Sequence, residues 1–125
     1  MIDKVAVIGA GAWGTTIANL LANKGVAVKL WVHTPQTESI MKHHKSPYLP
    51  GIVLSKDLHT TISLETALKF SPYWTLAIPS KYLAEWVRSI QPLVTNKTHL
   101  LSLVKGMILR DKPLWLSEYF QEVFP

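Results

Sequence analysis

Five residues rich in β-branched side chains, Lys4-Val5-Ala6-Val7-Ile8, run straight into Gly9-Ala10-Gly11-Ala12-Trp13-Gly14. That junction constrains the chain more than any other feature. The run lacks polar alternation, as expected of a strand buried on both faces of a parallel sheet. The three glycines allow a tight turn, and the pattern then becomes helical. Trp13, Ile17, Leu20 and Leu21 recur at spacings of three and four, which predicts a helix burying that face. Gly25 is placed to end it in the left-handed conformation.

The same punctuation continues along the chain. Val26–Val32 reads as a second strand. Thr34-Pro35 is an N-cap followed by proline at the first helical position, opening a helix to about His43. Ser46–Lys56, with Pro47, Pro50 and Gly51, is a structured loop. Thr60–Ile62 reads as a short strand, and Ser63 caps a helix to Phe70. Trp74–Ile78 and Thr98–Val104 are the remaining strands, separated by a helix over Lys81–Ile90. Tyr82, Trp86 and Ile90 form a stripe on that helix, expected to pack into the core. A last helix is expected over Pro113–Val123. Strands alternating with helices imply an α/β fold of the Rossmann type, doubly wound, its mainly parallel sheet carrying helices on both faces.

The 125 residues suit one domain, and 48% hydrophobic residues suffice for a core. The formal charge is 13 − 8 = +5, which favours an anionic ligand. The basic residues are scattered, so no nucleic-acid arm is expected. There is no cysteine, no apolar run near the ~20 residues of a membrane span, and no signal-peptide pattern at Met1–Lys4. The expected location is cytoplasmic. His43, His44 and His59 lack the spacing of a metal site, because adjacent histidines on a helix diverge. No serine–histidine–acid arrangement is present. Five tryptophans, four tyrosines and three phenylalanines are many for this length. Some are expected to stay partly exposed, as under a second domain or subunit, and a homo-oligomer is left open.

Gly9-x-Gly11-x-x-Gly14 after a strand and before a helix is the pattern that cradles a dinucleotide pyrophosphate. Gly9 turns out of the strand. Gly11 lets backbone approach the phosphates, and Gly14 lets the helix pack closely. The free N–H groups near Ala12 and Trp13 would face the phosphates at the positive end of the helix dipole. Where an NAD-specific site commonly has an acid, the second strand ends Leu30-Trp31-Val32-His33-Thr34-Pro35-Gln36, and the nearest acid is Glu38. A carboxylate would repel a 2′-phosphate, so both NAD and NADP stay open. His33 either meets the adenosine ribose or is an ordinary loop residue. Lys105 follows a strand at the carboxyl edge of the sheet, where it either pairs with a bound anion or is a solvated surface lysine.

Five segments in order resemble one family: Val7–Thr15 (Val-Ile-Gly-Ala-Gly-Ala-Trp-Gly-Thr), Leu30–His33, Tyr48–Gly51, Ala77–Ser80 and Val104–Gly106. Together they look like the N-terminal half of NAD(P)-dependent glycerol-3-phosphate dehydrogenase, over essentially the whole chain. The resemblance implies hydride transfer between NAD(P)H and dihydroxyacetone phosphate or glycerol 3-phosphate, within glycerol phosphate metabolism and phospholipid biosynthesis. By the same resemblance Gly9, Gly11, Ala12, Trp13 and Gly14 bind the pyrophosphate region, and His33 takes an adenosine-contacting position. Tyr82 falls near the cofactor, and Lys105 matches a lysine lying between cofactor and phosphorylated substrate. The chain departs from the family at Phe70-Ser71-Pro72-Tyr73-Trp74, where an acidic stretch is common, and at Leu103-Val104.

The expected organisation is a dinucleotide-binding domain over residues 1–125, without the family's helical substrate domain. The general acid/base lysine belongs to that domain, so no catalytic residue is expected here and turnover should be slight. Two other readings stand beside this one. A non-catalytic dinucleotide-binding or sensor module would use the same loop, and a basic nucleic-acid binder would need a clustered basic face.

Overall fold

The computed structural model describes residues 1–109 and 111–124. Five strands form one parallel sheet: β1 (Lys4–Ile8), β2 (Ala27–Trp31), β3 (Leu58–Thr61), β4 (Tyr73–Leu76) and β5 (His99–Ser102), in the order β3-β2-β1-β4-β5. The helices are α1 (Ala12–Asn23), α2 (Pro35–Met41), α3 (Leu64–Phe70), α4 (Leu83–Ile90) and α5 (Leu116–Val123). The chain fills one side of β1 with β2 and β3, then crosses to the other side for β4 and β5. The reversal opens a crevice beyond the carboxyl ends of β1 and β4, the place where open α/β sheets bind ligands.

Side-chain alternation along β1 divides the core in two. Val5 and Val7, with Val28 and Leu30 of β2, share a cluster with Ala18 and Ala22 of α1 and Met41 of α2. Ala6 and Ile8, with Trp74 and Leu76 of β4, pack with α3, α4 and α5 on the opposite face. Both faces of the sheet therefore carry helices, as the alternation of elements predicted.

The local stop and start signals act as expected. Gly25 has φ +88° and follows α1. Its N–H donates to the Ala22 carbonyl, and Val26 N–H donates to the Leu21 carbonyl, closing the paired bonds of a Schellman ending. Thr34 Oγ1 accepts from Thr37 N–H at 3.3 Å, and Ser63 Oγ accepts from Thr66 N–H at 3.2 Å. In α3, Lys69 donates to Glu65 at 2.5 Å, and this bond holds the Glu65 carboxyl below its ordinary range.

Three expectations need correction. The buried face of α1 is Gly14, Thr15, Ala18 and Ala22, not the larger residues. Trp13 is 53% exposed and Leu20 49%, while Leu21 packs only partly. Small residues win because they let the helix axis lie close on the sheet, and the bulky ones are turned outward. Secondly, Pro113–Trp115 is not helical. It forms strand β7, antiparallel to β6 (Met107–Leu109), and α5 starts only at Leu116. The Trp115 N–H donates to Glu118 Oε2 at 3.0 Å at that start. Thirdly, Tyr82 leaves the stripe. Trp86 and Ile90 are buried with Leu83 and Val87, but Tyr82 lies in a 3₁₀ turn (Ser80–Tyr82) and is 52% exposed.

The departing segment Phe70–Trp74 has its own structural task. Ser71 Oγ donates to the Lys4 carbonyl at 2.7 Å, and the Trp74 indole donates to the Leu68 and Ser71 carbonyls at 3.1 and 2.8 Å. These contacts lie at the amino end of β1, opposite the crevice. Among the described residues no helix is long and apolar enough to cross a membrane, and no three histidine or acidic side chains gather as metal ligands.

The close helix–sheet approach makes a measurable contrast. Ala18→Leu should destabilise the chain by about 1–3 kcal/mol through overpacking. Leu20→Ala, on the outward face, should change stability by no more than about 0.5 kcal/mol. Urea denaturation followed by circular dichroism checks both; equal losses would refute the assignment of the buried face.

Candidate functional site

The glycine loop occupies the crevice. Gly9 leaves β1 with φ +114°, and a Cβ there would stand 2.5 Å from the Ala77 carbonyl oxygen. A Cβ on Gly14 would strike the Gly9 carbonyl and approach the Ala77 Cβ at 3.2 Å. Both glycines are therefore required by packing. Gly11 differs: a Cβ on it would meet nothing within 4 Å, so its absence leaves open space on the cleft side. Gly11 is also the N-cap of α1, with no capping side chain and no acid in the first turn. The first helical N–H to find its backbone acceptor is Thr15, on the Gly11 carbonyl at 3.0 Å. The N–H groups before it are left for a ligand, with the helix dipole behind them. Thr15, fully buried, donates its hydroxyl to the Ala10 carbonyl at 3.1 Å and ties the loop to the helix.

The loop forms the floor of a cleft of about 1010 Å³. Every residue singled out from the sequence lies on its wall: Gly9, Gly11, Ala12, Trp13, Gly14, His33, Tyr82 and Lys105. They come from four separate stretches of chain, brought together at the carboxyl edge of the sheet. His33 follows β2 and meets the Trp31 ring edge-on, with centroids 5.6 Å apart. Trp31 is in turn held by its indole N–H on the Ile62 carbonyl at 3.0 Å. Tyr82 stands at the start of α4 with the Lys81 ammonium 5.0 Å from its ring centre. Lys105 follows β5. Gly106 beside it, at φ +107°, lies close enough to Ser80 that a Cβ would be 3.4 Å from its Oγ. Lys105 is exposed on the cleft wall and makes no ion pair among the described residues.

Several other wall residues carry no local signal that would place them here. Tyr48, 54% exposed, enters from the long loop, at the start of the Tyr48–Gly51 motif. Asn19 helps set that loop, accepting the Ser55 N–H at 2.7 Å. Thr37, Leu64, Glu85, Trp86 and Ser89 line the cleft because tertiary packing brings α2, α3 and α4 to its edge. Leu103, at the second point of departure from the family, is also on the wall, its N–H bonded to the Leu76 carbonyl at 2.8 Å.

A dinucleotide needs a phosphate cradle of bare backbone, and flat apolar walls for its two rings. This cleft provides both, and its size suits a ligand of that class. The end of β2 presents no carboxylate toward it. Glu38, the nearest acid, is largely covered and paired with Lys42 at 3.4 Å.

Comparison with known proteins agrees with this geometry. Residues 4–125 match the family model described as NAD-dependent glycerol-3-phosphate dehydrogenase N-terminus. The chain belongs to this family. It is 38% identical over 124 residues to glycerol-3-phosphate dehydrogenase [NAD(P)+] of Carboxydothermus hydrogenoformans, covering 98% of this chain and 37% of that protein. It is 40% identical over 126 residues to the enzyme of the same name from Corynebacterium glutamicum, covering 96% of this chain and 36% of that one. The crystal structure of glycerol-3-phosphate dehydrogenase from Coxiella burnetii superposes with a TM-score of 0.87 at 26% identity, over 98% of this chain and 38% of that chain. The chain thus spans little more than a third of the length of these relatives.

The contrast between the glycines can be tested without any ligand. Gly14→Ala should cost about 1–3 kcal/mol or more, because backbone must move to admit the methyl group. Gly11→Ser should stay within about 0.5 kcal/mol of the parent, since nothing is displaced and serine is a good N-cap. Thermal denaturation by calorimetry measures both.

Proposed function

We propose that this chain is the dinucleotide-holding domain, residues 1–125, of an NAD(P)-dependent glycerol-3-phosphate dehydrogenase. The observation that carries the reading is the bare Gly11 at the uncapped start of α1, opening onto a cleft large enough for a dinucleotide. Backbone N–H groups of Ala12 and Trp13, with Gly9, Gly11 and Gly14 keeping side chains out of the way, hold the pyrophosphate. His33, steadied by Trp31, meets the adenosine end. Tyr82 flanks the cofactor, and Lys105 stands where cofactor and a phosphorylated substrate would meet. When bound, the nicotinamide supplies a hydride acceptor or donor for carbon 2 of glycerol 3-phosphate or dihydroxyacetone phosphate. The ammonium of Lys105 would steady the anionic substrate or its polarised oxygen.

With no carboxylate facing the cleft at the end of β2, the adenosine ribose can carry a hydroxyl or a phosphate. NAD and NADP are both accepted on this reading. No general acid/base is assigned to this chain. By the family resemblance the general acid/base belongs to the rest of the longer enzyme, so residues 1–125 assayed by themselves should bind cofactor and turn over little. A sensor module without catalysis would bind equally well, and rapid turnover of dihydroxyacetone phosphate by a longer product containing this chain would dismiss that alternative. A location in the cytoplasm accords with a soluble metabolite as substrate.

Titration of NADH and NADPH against tryptophan fluorescence should give saturable quenching with each. Gly11→Val should weaken binding of both at least tenfold (about 1.4 kcal/mol) while leaving the melting temperature close to that of the parent. Lys105→Ala should change cofactor binding far less than Gly11→Val does. Absence of saturable binding by either dinucleotide would overturn the proposal.

A further inference from the structure

Trp86 is buried at 5% exposure, and its indole nitrogen has no hydrogen-bond partner among the described residues. No other buried side-chain nitrogen or oxygen there is left in that state. Other indoles show what is usual: buried Trp74 donates to two carbonyls, and half-buried Trp31 to one. An indole N–H withdrawn from water without an acceptor costs free energy that phenylalanine or leucine at the same place would not incur. Trp86 also forms part of the cleft wall, which Trp31, Leu64, Tyr82 and Glu85 line as well.

We infer that the Trp86 indole N–H is a hydrogen-bond donor for the adenine ring of the bound dinucleotide. The inference rests on the proposed cofactor site and adds a residue to it. Position selects the ring. Trp86 itself is on α4, after β4, but Trp31 at the end of β2 and Leu64 after β3 pack against the hydrophobic cluster that contains it, which turns this stretch of wall toward the β2–β3 side of the crevice. That is the side on which a doubly wound fold receives the adenosine. Lys105 and the end of β5 lie on the other side, leaving that side to the nicotinamide. Chemistry agrees with position. The wall around Trp86 is mainly aromatic and aliphatic, which suits a flat ring rather than a phosphate. Adenine carries ring nitrogens that accept hydrogen bonds next to an exocyclic amine that donates. Trp86 supplies a donor and Glu85, on the same wall, an acceptor. The indole nitrogen is covered in the free chain, so contact requires the indole or a side chain over it to turn.

The test uses the chain labelled with nitrogen-15, whose five tryptophans give five indole signals. The Trp86 signal is assigned by its loss in Trp86→Phe, or through its own side-chain couplings if that variant does not fold. Adding 5′-AMP should move the Trp86 indole proton downfield, and nicotinamide mononucleotide should leave it in place. Trp86→Phe should bind 5′-AMP and NADH about three- to tenfold more weakly without melting at a lower temperature, since a merely structural tryptophan would not separate the two. A Trp86 signal unmoved at saturating 5′-AMP, or a folded Trp86→Phe that binds as tightly as the parent, overturns the inference alone. If the parent chain binds neither 5′-AMP nor NADH, the proposed function falls with it.

Discussion

The crossing of β1 into the glycine loop sets the geometry of the rest. Gly9 passes beneath the Ala77 carbonyl with no room for a side chain, and Gly14 presses on Gly9 from the first turn of α1. Hydrogen bonds on both sides hold the junction: Gly9 N–H to the Trp31 carbonyl at 3.3 Å, and Ala77 N–H to the Ile8 carbonyl at 2.8 Å. The ends of β2, β1 and β4 are thereby fixed around one turn of backbone. Because α1 begins so close to the sheet, it can lie on it only through Gly14, Thr15, Ala18 and Ala22. The large residues of α1 are displaced outward as a consequence, and Trp13 ends on the cleft wall.

Much of the exposed aromatic surface gathers at the cleft. Trp13, Tyr48 and Tyr82 are each about half exposed, and all three line the cleft. Rings held at the edge of an apolar crevice can receive flat ligand groups, and their exposure need not imply a covering protein. Charge is sparse on the same wall: His33, Glu85 and Lys105, set among backbone and apolar groups. A site built in this way relies on fixed N–H groups at the helix start for anion binding, with the Lys105 ammonium, the one lysine on the wall among the described residues, at the opposite end.

Punctuation residues were legible because they act locally. Thr34, Ser63 and Gly25 cap their helices through bonds to neighbours three or four positions away, and their residue types suffice to predict them. The buried face of α1 was misread because spacing alone cannot tell a large residue that fills a core from one excluded by a close approach. The hairpin of Met107–Leu109 with Pro113–Trp115 was missed for a related reason. Three-residue strands carry almost no periodic signal, and only their pairing defines them. Tyr82 shared the helical spacing of Trp86 and Ile90, but a 3₁₀ turn after Pro79 rotates it away from the core.

The sequence by itself determined the alternation of strands and helices, the turn that Gly9, Gly11 and Gly14 make possible, and membership in a family recognisable from short motifs. Those depend on contacts between near neighbours in the chain. Tertiary structure decided which glycine is needed for packing and which leaves room for a ligand. It also decided that Tyr48, Trp31 and Trp86 share a wall with Lys105, and that one buried indole lacks an acceptor. These depend on groups from distant segments meeting across the sheet. No residue type or local spacing encodes the distance between Gly14 and Gly9, or the missing partner of Trp86, until the strands are in register.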